Sequence, residues 1–158
     1  MTLSYYNETA NFTTNVTTTS WNGTQGFVFD TATTFMAVAT SNCTNCNPNT
    51  TAYSYYNPLD SDTYKQSDYN ITSLNNTSAE PLTPWLFTGQ MMQDRVCFAN
   101  ANATLAPDYC VDDFAFFGID SASANFDYLD GFLGLGPTVS GNPPSFVNAL
   151  STAGIITS

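Results

Sequence analysis

Histidine is absent from this sequence, and Lys65 and Arg95 are its only basic residues, against 13 acidic ones. Without histidine, catalysis by Ser-His or Cys-His pairs and metal binding through imidazole are excluded. A formal net charge of −11 leaves no basic surface that displaces counterions from nucleic acid or from anionic lipid. We therefore expect no nucleic-acid partner.

Long apolar runs and charged residues are also scarce. Charged residues make up 9% of the chain, where a soluble domain usually has about 25%. No stretch approaches the roughly 20 apolar residues that cross a bilayer, so we expect no membrane span. The N-terminus lacks the basic and apolar regions of a signal peptide, which is typical of a cytosolic chain or of a mature or excerpted piece of a secreted one. Because 42% of the residues are hydrophobic, we predict one folded domain over 1–158.

Asn, Thr and Ser occupy 55 of the 158 positions and form ten Asn-x-Ser/Thr sequons. Chance produces several sequons in so polar a composition, and this alternative stays open. Branched glycans would keep a chain with few charges and 15% aromatic residues in solution, and their attachment requires the secretory pathway. The sequence therefore predicts an extracellular or cell-surface glycoprotein. Adjacent Asn75 and Asn76 are not both expected to carry a glycan, since the two would collide. The candidate sites are Asn7, Asn11, Asn15, Asn22, Asn42, Asn49, Asn70, Asn75, Asn76 and Asn102.

Four cysteines agree with an oxidising compartment, where an even number indicates disulfides. A zinc site would need a second Cys-x-x-Cys pair or histidines beside Cys43 and Cys46, and the sequence has neither. A thioredoxin-like redox motif would need a βαβ context, which the sequence does not predict. Of the three possible pairings we favour Cys43–Cys46, which closes a small loop, and Cys97–Cys110, which joins two strands of a hairpin.

Short apolar or aromatic runs separated by Gly, Asn, Asp and Pro predict a mostly β fold. The predicted strands cover 27–29, 35–38, 85–87, 96–98, 114–117 and 132–133. The first 24 residues suit a polar-faced strand pair, and 70–84 is the most loop-like segment. One helix is predicted over 145–153, with Phe146, Val147 and Leu150 on its apolar face, and a shorter turn over 58–64.

Five segments, taken in order, resemble the N-terminal lobe of pepsin-like aspartic proteases, whose active-site signature is an apolar residue followed by Asp-Thr-Gly-Ser/Thr. The resemblance spans nearly the whole chain and implies a single acid-protease β-barrel lobe with one or two short helices. The five segments are Phe29-Asp30-Thr31-Ala32-Thr33-Thr34, the loop containing Cys43 and Cys46, the turn 56–64, the run Asp130-Gly131-Phe132-Leu133-Gly134-Leu135-Gly136, and the helix from Ser145 that ends in Gly154-Ile155-Ile156.

The resemblance makes Asp30 a candidate catalytic residue, with Thr31 and Thr33 holding its carboxylate. Pepsin-like enzymes use two carboxylates about 3 Å apart that share a proton. Here Ala32 replaces the signature glycine, Leu86-Phe87-Thr88-Gly89 replaces the Tyr-Gly-Thr-Gly of the flap, and no second Asp-Thr-Gly follows.

Two functions follow from these matches and departures. The first is an inactive structural domain of an extracellular coat or filament, whose exposed lobe face is covered by a protein partner or by self-assembly. The alternative is an aspartic-type endopeptidase lobe that supplies Asp30, the second carboxylate coming from another lobe or subunit. A peptide-binding or inhibitory role has no positive indication in the sequence.

The glycine-rich and acidic segments do not match the cofactor and metal motifs that they resemble most. Gly131-x-x-Gly134-x-Gly136 lacks the lysine and the directly following helix of a nucleotide-binding loop. The acidic groups at 60–68, 108–113 and 120–127 do not match the twelve-residue calcium loop, which has a central Gly and a terminal Glu. We therefore expect no cofactor and no metal.

Overall fold

The computed structural model describes residues 2–7, 12–15, 27–31, 33–46, 55–76, 85–99, 109–123 and 131–157. These residues form nine strands, one short 3-10 helix at Pro58–Asp60 and one α-helix, α1, at Phe146–Thr152. The strands are β1 Thr2–Asn7, β2 Phe12–Asn15, β3 Phe27–Asp30, β4 Ala37–Thr44, β5 Lys65–Gln66, β6 Ser73–Asn76, β7 Trp85–Ala99, β8 Tyr109–Ala122 and β9 Gly131–Gly134.

The nine strands belong to one mixed sheet in the order β2-β1-β7-β8-β4-β9-β3, with β5 and β6 also paired to β7. Most neighbours are antiparallel, but β4 runs parallel to β8 and β3 runs parallel to β9. The predicted mostly β class is therefore confirmed. β1 and β2 form the antiparallel strand pair predicted for the N-terminal residues.

The centre of the sheet is the long hairpin of β7 and β8, and it differs from the sequence prediction. The runs 85–87 and 96–98 were predicted as separate strands, but β7 continues through the polar residues between them. Within this stretch Met91, Met92 and Asp94 are all buried, so the strand still contributes side chains to the interior although polar residues interrupt its apolar pattern. Likewise β4 begins at Ala37 rather than at 35 and extends to Thr44. The segment 70–84, predicted as a loop, contains strand β6, and 77–84 lie outside the described residues.

Successive residues of β8 enter two different hydrophobic clusters. Phe114 and Phe116 pack in one cluster, and Ala115, Phe117 and Ile119 pack in the other. Alternate side chains of a strand point to opposite faces of its sheet. The apolar run in this part of the sequence therefore reflects a strand that is covered on both faces.

Helix α1 covers part of the cluster that contains Phe114 and Phe116, and it packs against β8. The Ser145 hydroxyl caps the helix by accepting a hydrogen bond from the Asn148 N–H at 3.3 Å. Phe146, Ala149 and Leu150 are buried, at the i, i+3, i+4 spacing of one helical face. The prediction that Val147 shares this face is wrong: Val147 is 47% exposed, because it lies a quarter of a turn away.

Two disulfides, Cys43–Cys46 and Cys97–Cys110, form in the structure. They are the pairs that the sequence favours. The second joins directly opposed residues of β7 and β8, whose Cα atoms are 4.0 Å apart. Disulfides of this kind are typical of proteins that fold in an oxidising compartment.

Candidate functional site

Asp30 is the last residue of β3 and lies opposite Gly134 in the parallel pairing with β9. Asp30 and the loop that follows it are fixed by two backbone hydrogen bonds from the residues that follow β9. The Leu135 N–H donates to the Asp30 carbonyl oxygen at 2.7 Å, and the Gly136 N–H donates to the Thr33 carbonyl oxygen at 2.8 Å. The first and fourth of the resembling segments are therefore in direct contact.

Two glycines allow this contact. A Cβ atom on Gly134 would lie 2.4 Å from the Phe35 carbonyl oxygen, and one on Gly136 would lie 2.8 Å from the Thr33 carbonyl oxygen. Both distances are below the closest approach of real Cβ atoms to backbone. The glycine pattern of this run thus has a structural cause, the close packing of two backbones beside Asp30.

The Asp30 side chain is nearly enclosed, with 3% of the residue exposed. The Thr33 N–H donates to its Oδ1 at 3.4 Å, so Thr33 supports the carboxylate through its backbone. The Thr33 and Thr34 hydroxyls are buried and have no hydrogen-bond partner among the described residues. Thr31 is exposed, and Ala32 lies outside the described residues.

Asp94 is a second buried acid, and sequence reasoning did not single it out. It is 0% exposed. The Tyr56 hydroxyl donates to Oδ2 at 2.7 Å, and the Ser61 hydroxyl donates to Oδ1 at 2.9 Å. Oδ1 also accepts from the Thr63 hydroxyl and, at 2.7 Å, from the Arg95 N–H. Four donors thus hold this carboxylate.

The hydroxyl donors to Asp94 all come from the turn 56–64, the third of the resembling segments. Tyr56 also forms a parallel bridge with Thr40 of β4. The Asp94 carboxylate therefore fastens this turn to the sheet, and its chemistry is structural. Three hydroxyl side chains close together in the sequence, at Tyr56, Ser61 and Thr63, indicate a buried acceptor. The sequence does not indicate which acid accepts their hydrogen bonds.

The residues aligned with the protease flap lie partly in the core. Phe87 is fully buried, and its ring centroid is 5.1 Å from that of Phe132. Its neighbours Leu86 and Thr88 are exposed. Phe87 also pairs with Leu74 of β6 and with Ala122 of β8. Its side chain fills the interior of the sheet, a role that a glycine at this position cannot provide.

The candidate glycan sites are distributed over several elements. Asn42 in β4 and Asn70 are exposed. Asn7, Asn15, Asn75 and Asn76 lie in β1, β2 and β6. Asn11, Asn22, Asn49 and Asn102 lie outside the described residues.

The described part of the chain contains no group of three or more His, Cys, Asp or Glu residues placed to hold a metal ion. Within the described ranges no helix has both the length and the apolar character needed to span a membrane. No model of a known protein family matches the chain, and no curated protein matches it.

Proposed function

We propose that this chain is a secreted, heavily N-glycosylated domain of the pepsin-like N-terminal-lobe type that acts as a structural building block of an extracellular coat or filament. The observation that carries the proposal is the enclosure of Asp30. Asp30 is only 3% exposed, and the loop that begins with it packs against the backbone of Gly134 and Gly136. A carboxylate that activates water for peptide hydrolysis must reach the substrate carbonyl, and this one is covered.

The contacts among the resembling segments support the assignment to this fold. The Asp30 loop packs on 134–136, and the turn 56–64 is fastened to Asp94 of β7. Helix α1 follows β9 in the chain and packs through Phe146 against Phe114 of β8, with ring centroids 5.1 Å apart. Segments that are far apart in the sequence thus form one connected arrangement around the central hairpin.

Aspartic-type endopeptidase activity is the second candidate, and one observation favours it. The Thr33 N–H donates to Asp30 Oδ1, which keeps the carboxylate oriented as a catalytic acid requires. The other carboxylate would then come from a second lobe or subunit.

A cleavage assay separates the two candidates. The purified protein is incubated with a denatured protein substrate across acid and neutral pH, beside a matched Asp30→Asn variant. We expect no cleavage by either protein. Cleavage by the parent that disappears in Asp30→Asn would refute the structural role and establish the protease.

The glycoprotein part of the proposal has its own test. Protein produced in secretory eukaryotic cells should lose mass when its N-linked glycans are removed enzymatically. Peptide mapping should then identify modified asparagines, with exposed Asn70 among them. An unmodified protein of unchanged mass would contradict this part and leave the sequons to chance.

A further inference from the structure

The C-terminal part of the chain has neither of the features that keep the rest in water. Both basic residues and all 13 acidic residues lie at or before position 130. The ten sequons also end early, the last of them at Asn102. Residues 131–157 therefore carry no charged side chain and no glycan acceptor.

This same part exposes several large apolar side chains. Leu135 is 36% exposed, Val139 54%, Val147 47% and Ile155 38%. Leu135 and Val147 line one groove, and we call the surface formed by these two residues and the rest of that groove the C-terminal face. The groove has a volume of about 550 Å³ and is lined by Leu135, Gly136, Pro137, Thr138, Ser145, Val147, Asn148, Ser151 and Ile156.

Hydrogen bonds fix the shape of the C-terminal face. The Asn148 Nδ2 donates to the Thr138 Oγ1 at 2.8 Å, which ties α1 to the loop after β9. The buried side of α1, with Phe146 and Leu150, is anchored in the core, so Val147 on the other side is held outward. A surface that is already ordered loses less conformational entropy when it is covered by a partner.

We propose that the C-terminal face is the contact through which two copies of this chain form a dimer. The charge distribution points to a second copy. At a net charge of −11, two copies repel each other wherever their acidic residues face, and every residue that lines the groove is uncharged. Interface cores, and homodimer interfaces most of all, are apolar and depleted of charged residues.

The shape of the face agrees with a two-fold dimer. A two-fold contact needs one patch that is complementary to itself. Leu135 and Val147 are exposed and both line the groove, so a two-fold axis through the face sets these apolar side chains of one copy against the same side chains of the other. This inference rests on the proposed structural role and names the partner, a second copy.

The test is the molar mass of the full chain in solution, measured by sedimentation velocity over a range of protein concentrations. We expect a dimer whose dissociation constant falls as salt is raised, because salt screens the repulsion between the copies. Val147→Asp should weaken dimerisation at least tenfold, since it buries a charge in the contact. The matched control is Leu59→Asp, which adds the same charge at a residue that is 90% exposed and outside the face.

Each outcome decides the inference. A parent protein that stays monomeric at all concentrations overturns it, as does a dimer that Val147→Asp and Leu59→Asp affect equally. Circular dichroism of both variants shows whether they remain folded, and Leu135→Asp provides a second variant of the face. The proposed function is tested separately by the cleavage assay. A monomeric protein without protease activity refutes only the dimer contact, whereas a dimeric protein with protease activity refutes only the structural role.

Discussion

Asp94 stands out among the acidic residues because four protein donors converge on its buried carboxylate. A buried carboxylate is tolerated only when hydrogen bonds replace its hydration. The donors compensate the lost hydration of the Asp94 carboxylate, and the carboxylate in turn holds the turn 56–64 in place. Removing the acceptor leaves three hydroxyls in a site with little access to water.

We expect Asp94→Ala to lower the free energy of unfolding by about 4 kcal/mol, since it leaves buried hydroxyls unsatisfied and opens a cavity. Asp94→Asn should cost less, about 1 to 2 kcal/mol, because the amide retains one acceptor oxygen and its Nδ2 can donate to the Tyr56 hydroxyl. Denaturant-induced unfolding followed by fluorescence measures both. Asp112→Ala is the control: that acid forms an exposed pair with Arg95, and we expect a change below about 1 kcal/mol. Equal stability of Asp94→Ala and Asp112→Ala would contradict the role of Asp94.

Asp30 and Asp94 differ in how far the sequence reveals them. Asp30 is found from its immediate neighbours, because Phe29, Thr31 and Thr33 complete a local pattern. The structural role of Asp94 depends on hydroxyl groups that are 31 to 38 residues away along the chain. The enclosure of Asp30 is equally non-local, since it depends on backbone packing from 134–136. Neighbouring residues thus predict the identity of a candidate site residue, and distant ones decide its exposure.

Strands β7 and β8 approach each other closely at Gly89. A Cβ atom there would lie 1.9 Å from the Gly118 carbonyl oxygen, at a shift in the strand register. We expect Gly89→Ala to force the strands apart and to lower stability by about 2 to 3 kcal/mol. The thermal unfolding midpoint would then fall by about 2 to 4 °C for each kcal/mol. Exposed Thr88→Ala in the same strand is the control, and a Gly89→Ala midpoint no lower than that of Thr88→Ala would disprove the close approach.

The two disulfides should differ in their effect on stability. Cys97 and Cys110 are 13 positions apart and Cys43 and Cys46 only three. In the chain-entropy description, replacing both cysteines by alanine costs about 3 kcal/mol for the larger loop and about 2 kcal/mol for the smaller. Cys97 and Cys46 are both buried, so a packing loss adds to both values and leaves their order unchanged. Denaturant titration of the two double variants checks the order, and a larger loss for the Cys43/Cys46 variant would argue against it.

The sequence predicts the helix and most strand positions, because their patterns are local. Helix α1 falls inside the predicted range, with Ser145 as its N-cap. The continuous β7 was not predicted, because Gln93, Asp94 and Arg95 interrupt the apolar pattern. Asp94 is tolerated there through its hydroxyl partners. Val147 was placed on the wrong face because an apolar residue was assumed to be buried, whereas its side chain faces the groove.

The molecule as a whole combines a low content of charged residues with many sequons, and the proposed glycoprotein role predicts that its solubility depends on glycans. Removing the glycans enzymatically from secreted protein should lower the concentration at which it precipitates, because few charges remain to keep copies apart. Light scattering during concentration measures this, with mock-treated glycoprotein as the control. Unchanged solubility after complete removal would show that the net charge of −11 is sufficient.

The mostly β class was predictable, but the strand order was not. Several short apolar runs indicate strands wherever they pair. The pairing itself joins distant segments, as when Ala37 of β4 meets Phe117 of β8 and Phe132 of β9. No turn signal specifies these partners, since no short connection links them. The close backbone approach of Gly134 to Phe35 is likewise seen only in the structure.

The parallel pairing of β3 with β9 has a consequence for the order of folding. Phe27 meets Gly131, so the chain between them must already be arranged before this pairing gains its contacts. The β7–β8 hairpin pairs nearer neighbours and pays a smaller closure entropy. We therefore expect the hairpin to form early and β3 to dock late. During synthesis on the ribosome, Asp30 therefore gains its enclosure only after β9 has emerged, and we expect a chain truncated before residue 131 to expose this acid to water.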